Sequence, residues 1–203
     1  MKTNQELVEH LKDIGILNTP EIISAFESID RVDFIKSRDK PIAYEDIPLD
    51  IGYDQTISQP LTVAFMLEEL EPQKGDSVLD IGSGSGWTTA LLAHIVGKSG
   101  KVVGLEIVPE LEDFGRSNIQ KYKLNHVKIE KVEEGVLGKP GQKFDRILVS
   151  ASAKKLPEEL ILQLKPNGIL VVPVGNSIFK ITKSLEEVVS MQEFPGFVFV
   201  PLL

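Results

Sequence analysis

The stretch from Val78 to Thr89, VLDIGSGSGWTT, constrains this chain more than any other. Its opening, Ser77 to Ile81, is a short apolar, β-branched run that reads as a buried strand. Gly82, Gly84 and Gly86 follow at every second position. Trp87, Ala90, Leu91 and Ile95 then share one face at helical spacing. Strand, glycine turn, helix is the layout of a nucleotide-type site. Glycine lets the backbone approach a ligand that a Cβ would repel, and a helix N-terminus offers unpaired N–H groups.

Two phosphate-binding patterns fail here. The dinucleotide fingerprint G-x-G-x-x-G/A ends on Trp87 when started at Gly82 and on Thr89 when started at Gly84. The P-loop pattern finds Gly97-Lys98-Ser99, but Leu92 stands where its first glycine belongs, and the tripeptide closes a helical pattern instead of opening one. The spacing D-x-G-x-G-x-G does fit, through Asp80, Gly82, Gly84 and Gly86. It resembles the first motif of the S-adenosylmethionine-dependent methyltransferases of Rossmann-like fold. That resemblance implies S-adenosyl-L-methionine as cofactor, S-adenosyl-L-homocysteine as product, and Ser83 among the turn residues against it. Asp80 is placed either to accept from turn N–H groups or to face the cofactor's ammonium. Glu106 ends the next strand, roughly 20 residues beyond the glycines, where a carboxylate accepts from ribose hydroxyls. The bland alternatives are a turn of structural use only and a solvated acid near a helix start.

The 203 residues are long enough for one domain with a sizeable core. Residues 1–60 read as N-terminal helices and a substrate-side loop, and 61–203 as a cofactor-binding core with C-terminal strands. A net charge of −8 disfavours a nucleic-acid partner held by a basic field. Cysteine is absent, so thiolate chemistry is excluded. His10, His94 and His126 lie in separate segments without metal-ligand spacing, so no metal is expected and each reads as a surface or packing residue. The first residues, MKTNQELVEHLKD, lack the apolar run of a leader, and no run reaches the length of a membrane span. A cytoplasmic protein without a membrane partner is the simplest expectation.

The spacing predicts helices over 3–13 and 20–29, the second opened by Pro20. Residues 41–60 read as loop, and 61–70 as a helix that Ser58 or Gln59 would cap. Strands are expected at 101–106, 127–132, 144–149 and 169–174, with helices from Pro109 and over 156–164. This alternation implies an α/β fold, a mostly parallel sheet with helices on both faces. Gly175-Asn176 is a two-residue hairpin signal that turns residues 177–183 antiparallel, and the ending FVFVPLL reads as a last strand.

Longer stretches carry a more specific resemblance. Ala43-Tyr44-Glu45-Asp46 is followed by Pro48-Leu49-Asp50-Ile51-Gly52 and Gln55-Thr56-Ile57-Ser58-Gln59-Pro60. Phe144-Asp145 runs on through Ser150-Ala151-Ser152-Ala153 to Val172-Pro173-Val174-Gly175, and the chain closes on Phe199-Val200-Pro201-Leu202. With Arg31-Val32-Asp33-Phe34 and the glycine motif, these resemble the protein-L-isoaspartate O-methyltransferase family over essentially the whole chain. The resemblance implies methyl transfer to the free α-carboxylate of L-isoaspartyl residues in damaged proteins or peptides. It implies Ser58 as the active-site residue, with Thr56 and Ile57 beside it and Val200, Pro201 and Leu202 lining the peptide side. The family's Gly-Asp-Gly after the third core strand is here Glu133-Glu134-Gly135, which leaves Glu134 as the adenine contact. Ser150, Ser152 and Trp87 depart from the family's threonine, alanine and tyrosine. Two competing readings are a non-catalytic cofactor-binding module of the same fold and a methyltransferase with a small-molecule or RNA acceptor.

Overall fold

The structure is a computed structural model and describes residues 1–132 and 135–202. The chain begins with helices α1 (Asn4–Asp13) and α2 (Pro20–Ser28). Thr3 caps α1 by accepting from the Glu6 N–H. Two 3₁₀ turns follow, Arg31–Phe34 and Ser37–Ile42.

The expected loop over 41–60 holds a small hairpin, β1 (Leu49–Gly52) and β2 (Gln55–Ile57). Tyr53 and Asp54 form its two-residue turn, both at φ +56°. A type I′ turn needs positive φ at both positions, and glycine is its usual signal. Here neither residue is glycine, so no local signal marks the turn. Helix α3 (Pro60–Leu70) comes next, and its cap differs from expectation. Neither Ser58 nor Gln59 caps it through its side chain. Asp46 does so from upstream: its Oδ1 accepts from the Leu61 N–H at 2.8 Å and its Oδ2 from Gln59 Nε2 at 2.9 Å.

The core alternates as expected: β3 (Ser77–Ile81), α4 (Trp87–Val96), β4 (Lys101–Glu106), α5 (Pro109–Gln120), β5 (Val127–Lys131) and β6 (Phe144–Val149). The helix expected over 156–164 shrinks to α6 (Glu158–Ile161), because β7 (Leu164–Val174) starts earlier than its apolar run. β7 continues through the Gly175-Asn176 turn into β8 (Ser177–Lys183), antiparallel as predicted. The last strand is β9 (Val189–Pro195), not FVFVPLL. β9 is an edge strand with almost every residue exposed, so it shows no apolar face for a period to reveal. Beyond it Gly196 and Phe197 both donate to the Asn176 carbonyl, and the chain doubles back as a strap. Phe194 and Phe197 pack on Phe65 of α3, at centroid distances of 5.1 and 5.0 Å.

Among the described residues the main sheet has the order β5-β4-β3-β6-β7-β8-β9. The first five strands in that order run parallel. The chain winds from β3 to one side and returns to the other, so its switch point lies between β3 and β6. Alternate strand residues go to opposite faces. Val78, Val102, Leu148 and Val171 join the core under α1–α5, while Leu79, Val103, Ile147 and Leu170 join a smaller core. Helices cover both faces unequally, since the smaller core has only α6 and flanking segments over it. Among the described residues no helix is long and apolar enough to cross a membrane.

Candidate active site

A cavity of about 260 Å³ opens at the carboxyl ends of β3, β4 and β6, at the switch point. Gly82, Ser83 and Gly84 form its floor. Gly82, Gly84 and Gly86 all have positive φ, which side chains avoid, so the turn requires glycine for its own conformation. The turn is also crowded from behind. A Cβ on Gly86 would lie 3.0 Å from the Gly115 carbonyl oxygen of α5. Asn118 of α5 donates to the Ser85 carbonyl at 2.9 Å.

Glu106 reaches the cavity from the end of β4, nearly buried. Its Oε2 accepts from the Gly84 N–H at 2.8 Å, and its Oε1 from the N–H groups of Ile107 and Val108 at 2.9 and 3.0 Å. A carboxylate offers about four acceptor sites, so roughly one, on Oε2, stays open to a ligand hydroxyl. A grip on two hydroxyls requires one backbone donor to let go.

Asp80 sits beneath the turn, fully buried, and is not part of the cavity wall. Its Oδ2 accepts from the hydroxyls of Thr88 and Thr89 at 2.9 and 2.6 Å. Of its two expected roles, bonding to the turn N–H groups is not seen, and Thr88 and Thr89 are its partners. Its Oδ1 has no partner among the described residues. Burial raises its pKa to about 6, against the hydroxyls that lower it, and the nearby Glu106 charge adds to the rise.

Across the cavity, β2 and the chain after it bring Thr56, Ile57 and Ser58 to the wall. Because Asp46 performs the capping of α3, the Ser58 hydroxyl is released from that task and makes no hydrogen bond among the described residues. The third side is the C-terminal strap. Ser152 donates its N–H to the Val200 carbonyl at 2.8 Å and accepts from the Leu202 N–H at 2.9 Å through its own. Those bonds hold Val200, Pro201 and Leu202 in the wall.

Ten predicted site residues therefore meet in one cavity: Thr56, Ile57, Ser58, Gly82, Ser83, Gly84, Glu106, Val200, Pro201 and Leu202. Gly86 and Asp80 support it from outside, and Glu134 lies outside the described residues. Sequence reasoning missed Ile107 and Val108, which follow Glu106 into the wall, although their place directly after the strand acid was a usable signal. It also missed Thr88 and the backbone supports Arg31, Asp46 and Asn118, which lie far away in sequence. The donor set suits a long ligand with hydroxyls at one end and a cation at the other. Glu106 faces the cavity as an acid, the negative field of Asp80 lies below, the Ser83 hydroxyl is buried without a partner among the described residues, and apolar Ile81, Leu105 and Ile107 line the middle.

The family described as Protein-L-isoaspartate(D-aspartate) O-methyltransferase matches residues 2–203. The chain belongs to that family. A relative from Methanopyrus kandleri, a protein-L-isoaspartate O-methyltransferase, is 37% identical, covering all of this chain and 92% of the relative. One of the same name from Fervidobacterium nodosum is 42% identical over 89% of this chain and 90% of its own. A crystal structure of a protein-L-isoaspartate O-methyltransferase from Plasmodium falciparum, in complex with S-adenosyl-L-homocysteine, superposes with a TM-score of 0.89 at 30% identity. The match covers 99% of this chain and 98% of that one. Membership of the isoaspartate methyltransferase family agrees with the sheet order and the position of the cavity.

Proposed function

We propose that this protein transfers a methyl group from S-adenosyl-L-methionine to the free α-carboxylate of L-isoaspartyl residues in damaged proteins or peptides. The backbone nitrogen of the next residue then attacks the ester carbonyl and expels methanol, and water reopens the succinimide in part as normal aspartate. In this reading residues 1–60 supply the acceptor side and 61–203 the cofactor core, as parts of one unit. The single observation that carries it is the meeting of an uncommitted Ser58 hydroxyl with the glycine turn and Glu106 in one cavity.

The bound cofactor supplies an electrophilic methyl group on a sulfonium. Everything else falls to the protein, and the demands are modest. A carboxylate is already ionised at neutral pH, so no strong base is needed. What remains is alignment of oxygen, methyl and sulfur for in-line displacement, which holding both reactants in one geometry provides. Glu106, the unpartnered Ser83 hydroxyl and the side-chain-free approach at Gly82 and Gly84 fix the cofactor side. The Ser58 hydroxyl donates one neutral hydrogen bond to the acceptor carboxylate, enough to orient it without quenching its nucleophilicity. Val200, Pro201 and Leu202 line the cavity and present an apolar wall to the peptide.

The test is methyl transfer from labelled S-adenosyl-L-methionine to paired peptides, one isoaspartyl and one aspartyl. Base-labile label enters only the isoaspartyl peptide. Label in both peptides, or in neither while S-adenosyl-L-homocysteine still binds, overturns the reading. Ser58→Ala lowers turnover much more than it lowers affinity for S-adenosyl-L-homocysteine, and equal losses in both would remove Ser58 from its role.

A further inference from the structure

Arg31 is fully buried, and among the described residues no carboxylate hydrogen-bonds or ion-pairs with it. Its partners are backbone carbonyls. Nη1 donates to Ala43 at 2.7 Å and Glu45 at 3.2 Å; Nη2 donates to Ile47 at 2.8 Å and Ser58 at 3.2 Å. These four carbonyls are spread along the chain that leads into the acceptor side of the cavity. The guanidinium carbon also lies 5.5 Å from the centroid of the Trp87 ring, a cation–π approach. Trp87 is the first residue of α4 after the glycine turn. One side chain thus touches both halves of the site.

Burying a charge without a countercharge in contact is costly, and a core of equal volume is built more cheaply from apolar residues. Burial brings this guanidinium down to about 10, against the raising influence of Asp46, so it stays cationic at neutral pH. A planar fork with five donors is the side chain that can gather four carbonyls in fixed directions. The turn that carries Arg31 is itself anchored to the cofactor side. Lys121, which follows α5, donates to the Asp33 carbonyl and, at 3.0 Å, to Asn118 Oδ1, and Asn118 holds the Ser85 carbonyl.

Resting on the function proposed above, we propose that Arg31 is a positioning residue that fixes Ser58 relative to the glycine turn, by clamping the 43–58 segment while resting on Trp87. Arg31 touches no reactant and acts through the Ser58 backbone. Occupation of the cofactor side is then transmitted to residues 43–48, which are not in the cavity wall.

Two measurements test this. In the first, the wild-type protein is followed by amide hydrogen exchange with and without S-adenosyl-L-homocysteine. Exchange in 43–48 slows on binding; unchanged exchange there, with protection at 82–86, overturns the proposal. This arm needs no variant to fold and no turnover. In the second, Arg31→Lys and Arg31→Met are assayed with the isoaspartyl peptide below their melting temperatures. An ammonium cannot reach four carbonyls, so kcat falls about 10-fold or more in Arg31→Lys and further in Arg31→Met. A misplacement of about 1 Å is enough for losses of that order. The KM for peptide and the affinity for S-adenosyl-L-homocysteine stay within about threefold, a split that general loosening of the fold would not produce. Unaltered kcat in Arg31→Met, or parallel losses in kcat and cofactor affinity, sinks the positioning role. If the wild-type protein transfers no methyl group, the proposed function fails, and the exchange result, compared between wild type and Arg31→Met, still decides whether Arg31 couples the two sides.

Discussion

Asp80 gives the sharpest quantitative prediction. Its carboxyl is buried beneath the glycine turn with one oxygen unpartnered among the described residues, and its pKa is raised from 3.8 to about 6. In the unfolded chain the same group loses its proton near pH 4. Between about pH 4 and pH 6 the native state therefore binds more protons than the unfolded state, and stability falls as pH rises. The native state is favoured fully below that window, and the penalty is complete above pH 6. A shift of about 2 units at 1.36 kcal/mol each makes the penalty about 3 kcal/mol. Asp80→Asn abolishes it while keeping an oxygen that accepts from Thr88 and Thr89. Urea unfolding of both proteins at steps from pH 3.5 to pH 7.5 gives the stability difference at each pH. Acids that keep the same environment in both, such as Asp50 and Glu130, cancel in that difference. Relative to the wild type, the variant gains about 3 kcal/mol as pH rises across the window. A difference that stays flat within about 1 kcal/mol would show that Asp80 is solvated or paired in the native state, and the burial argument would be wrong.

Three further perturbations address the supports of the site. Gly115→Ala would place a Cβ 2.7 Å from Ile129 Cδ1 and 2.8 Å from the Gly84 carbonyl oxygen. Better helix propensity returns about 1 kcal/mol against an overpacking cost of about 1–3, so melting changes little while displacement of the turn weakens S-adenosyl-L-homocysteine binding about 10-fold or more by calorimetry; wild-type affinity would clear the turn of that constraint. Glu106→Gln keeps the shape but loses charge-assisted acceptance from three N–H groups, so the same titration reads a loss of about 10- to 100-fold, and unchanged affinity would remove Glu106 from the site. Asp46→Ala leaves the Leu61 N–H without its cap and costs about 1–2 kcal/mol in urea unfolding; a neutral effect would mean that water or Gln59 serves the helix equally well.

The legible part of this molecule is what local chemistry encodes. The run from Ser77 to Ile81, the alternating glycines and the apolar face of α4 fixed one strand, one turn and one helix within a residue or two. Glu106 was singled out by its distance from the glycines, and it lines the cavity beside them. The Gly175-Asn176 turn was found because a primed turn with glycine first advertises itself, and Gly175 sits at φ +59°. Elements without a local signature escaped. β9 is exposed on both sides and carries no period. The Tyr53-Asp54 turn adopts positive φ at two residues that do not advertise it. FVFVPLL has strand composition, yet Pro201 has no N–H to give a ladder and Val198 is 85% exposed. Two hydrogen bonds with Ser152 hold it as a wall of the cavity instead.

The assignment of Ser58 turned on information of the second kind. Read locally, a serine two residues before a helix-opening proline is a capping candidate, and the QTISQP resemblance alone argued otherwise. The structure separates the two uses physically. Asp46 supplies the capping acceptor from upstream and Arg31 takes the Ser58 carbonyl, so the backbone of Ser58 is committed and its hydroxyl is not. A fixed backbone with an uncommitted side chain facing a cavity is what a residue that orients a substrate requires, because the freedom it loses on binding has already been removed by folding. In the proposed function the helix cap and the buried arginine belong to the site's preorganisation, although neither touches the cavity. This also explains why a neutral hydroxyl suffices. Once both reactants are held in line, a stronger donor would stabilise the carboxylate before transfer more than during it, and the barrier would rise.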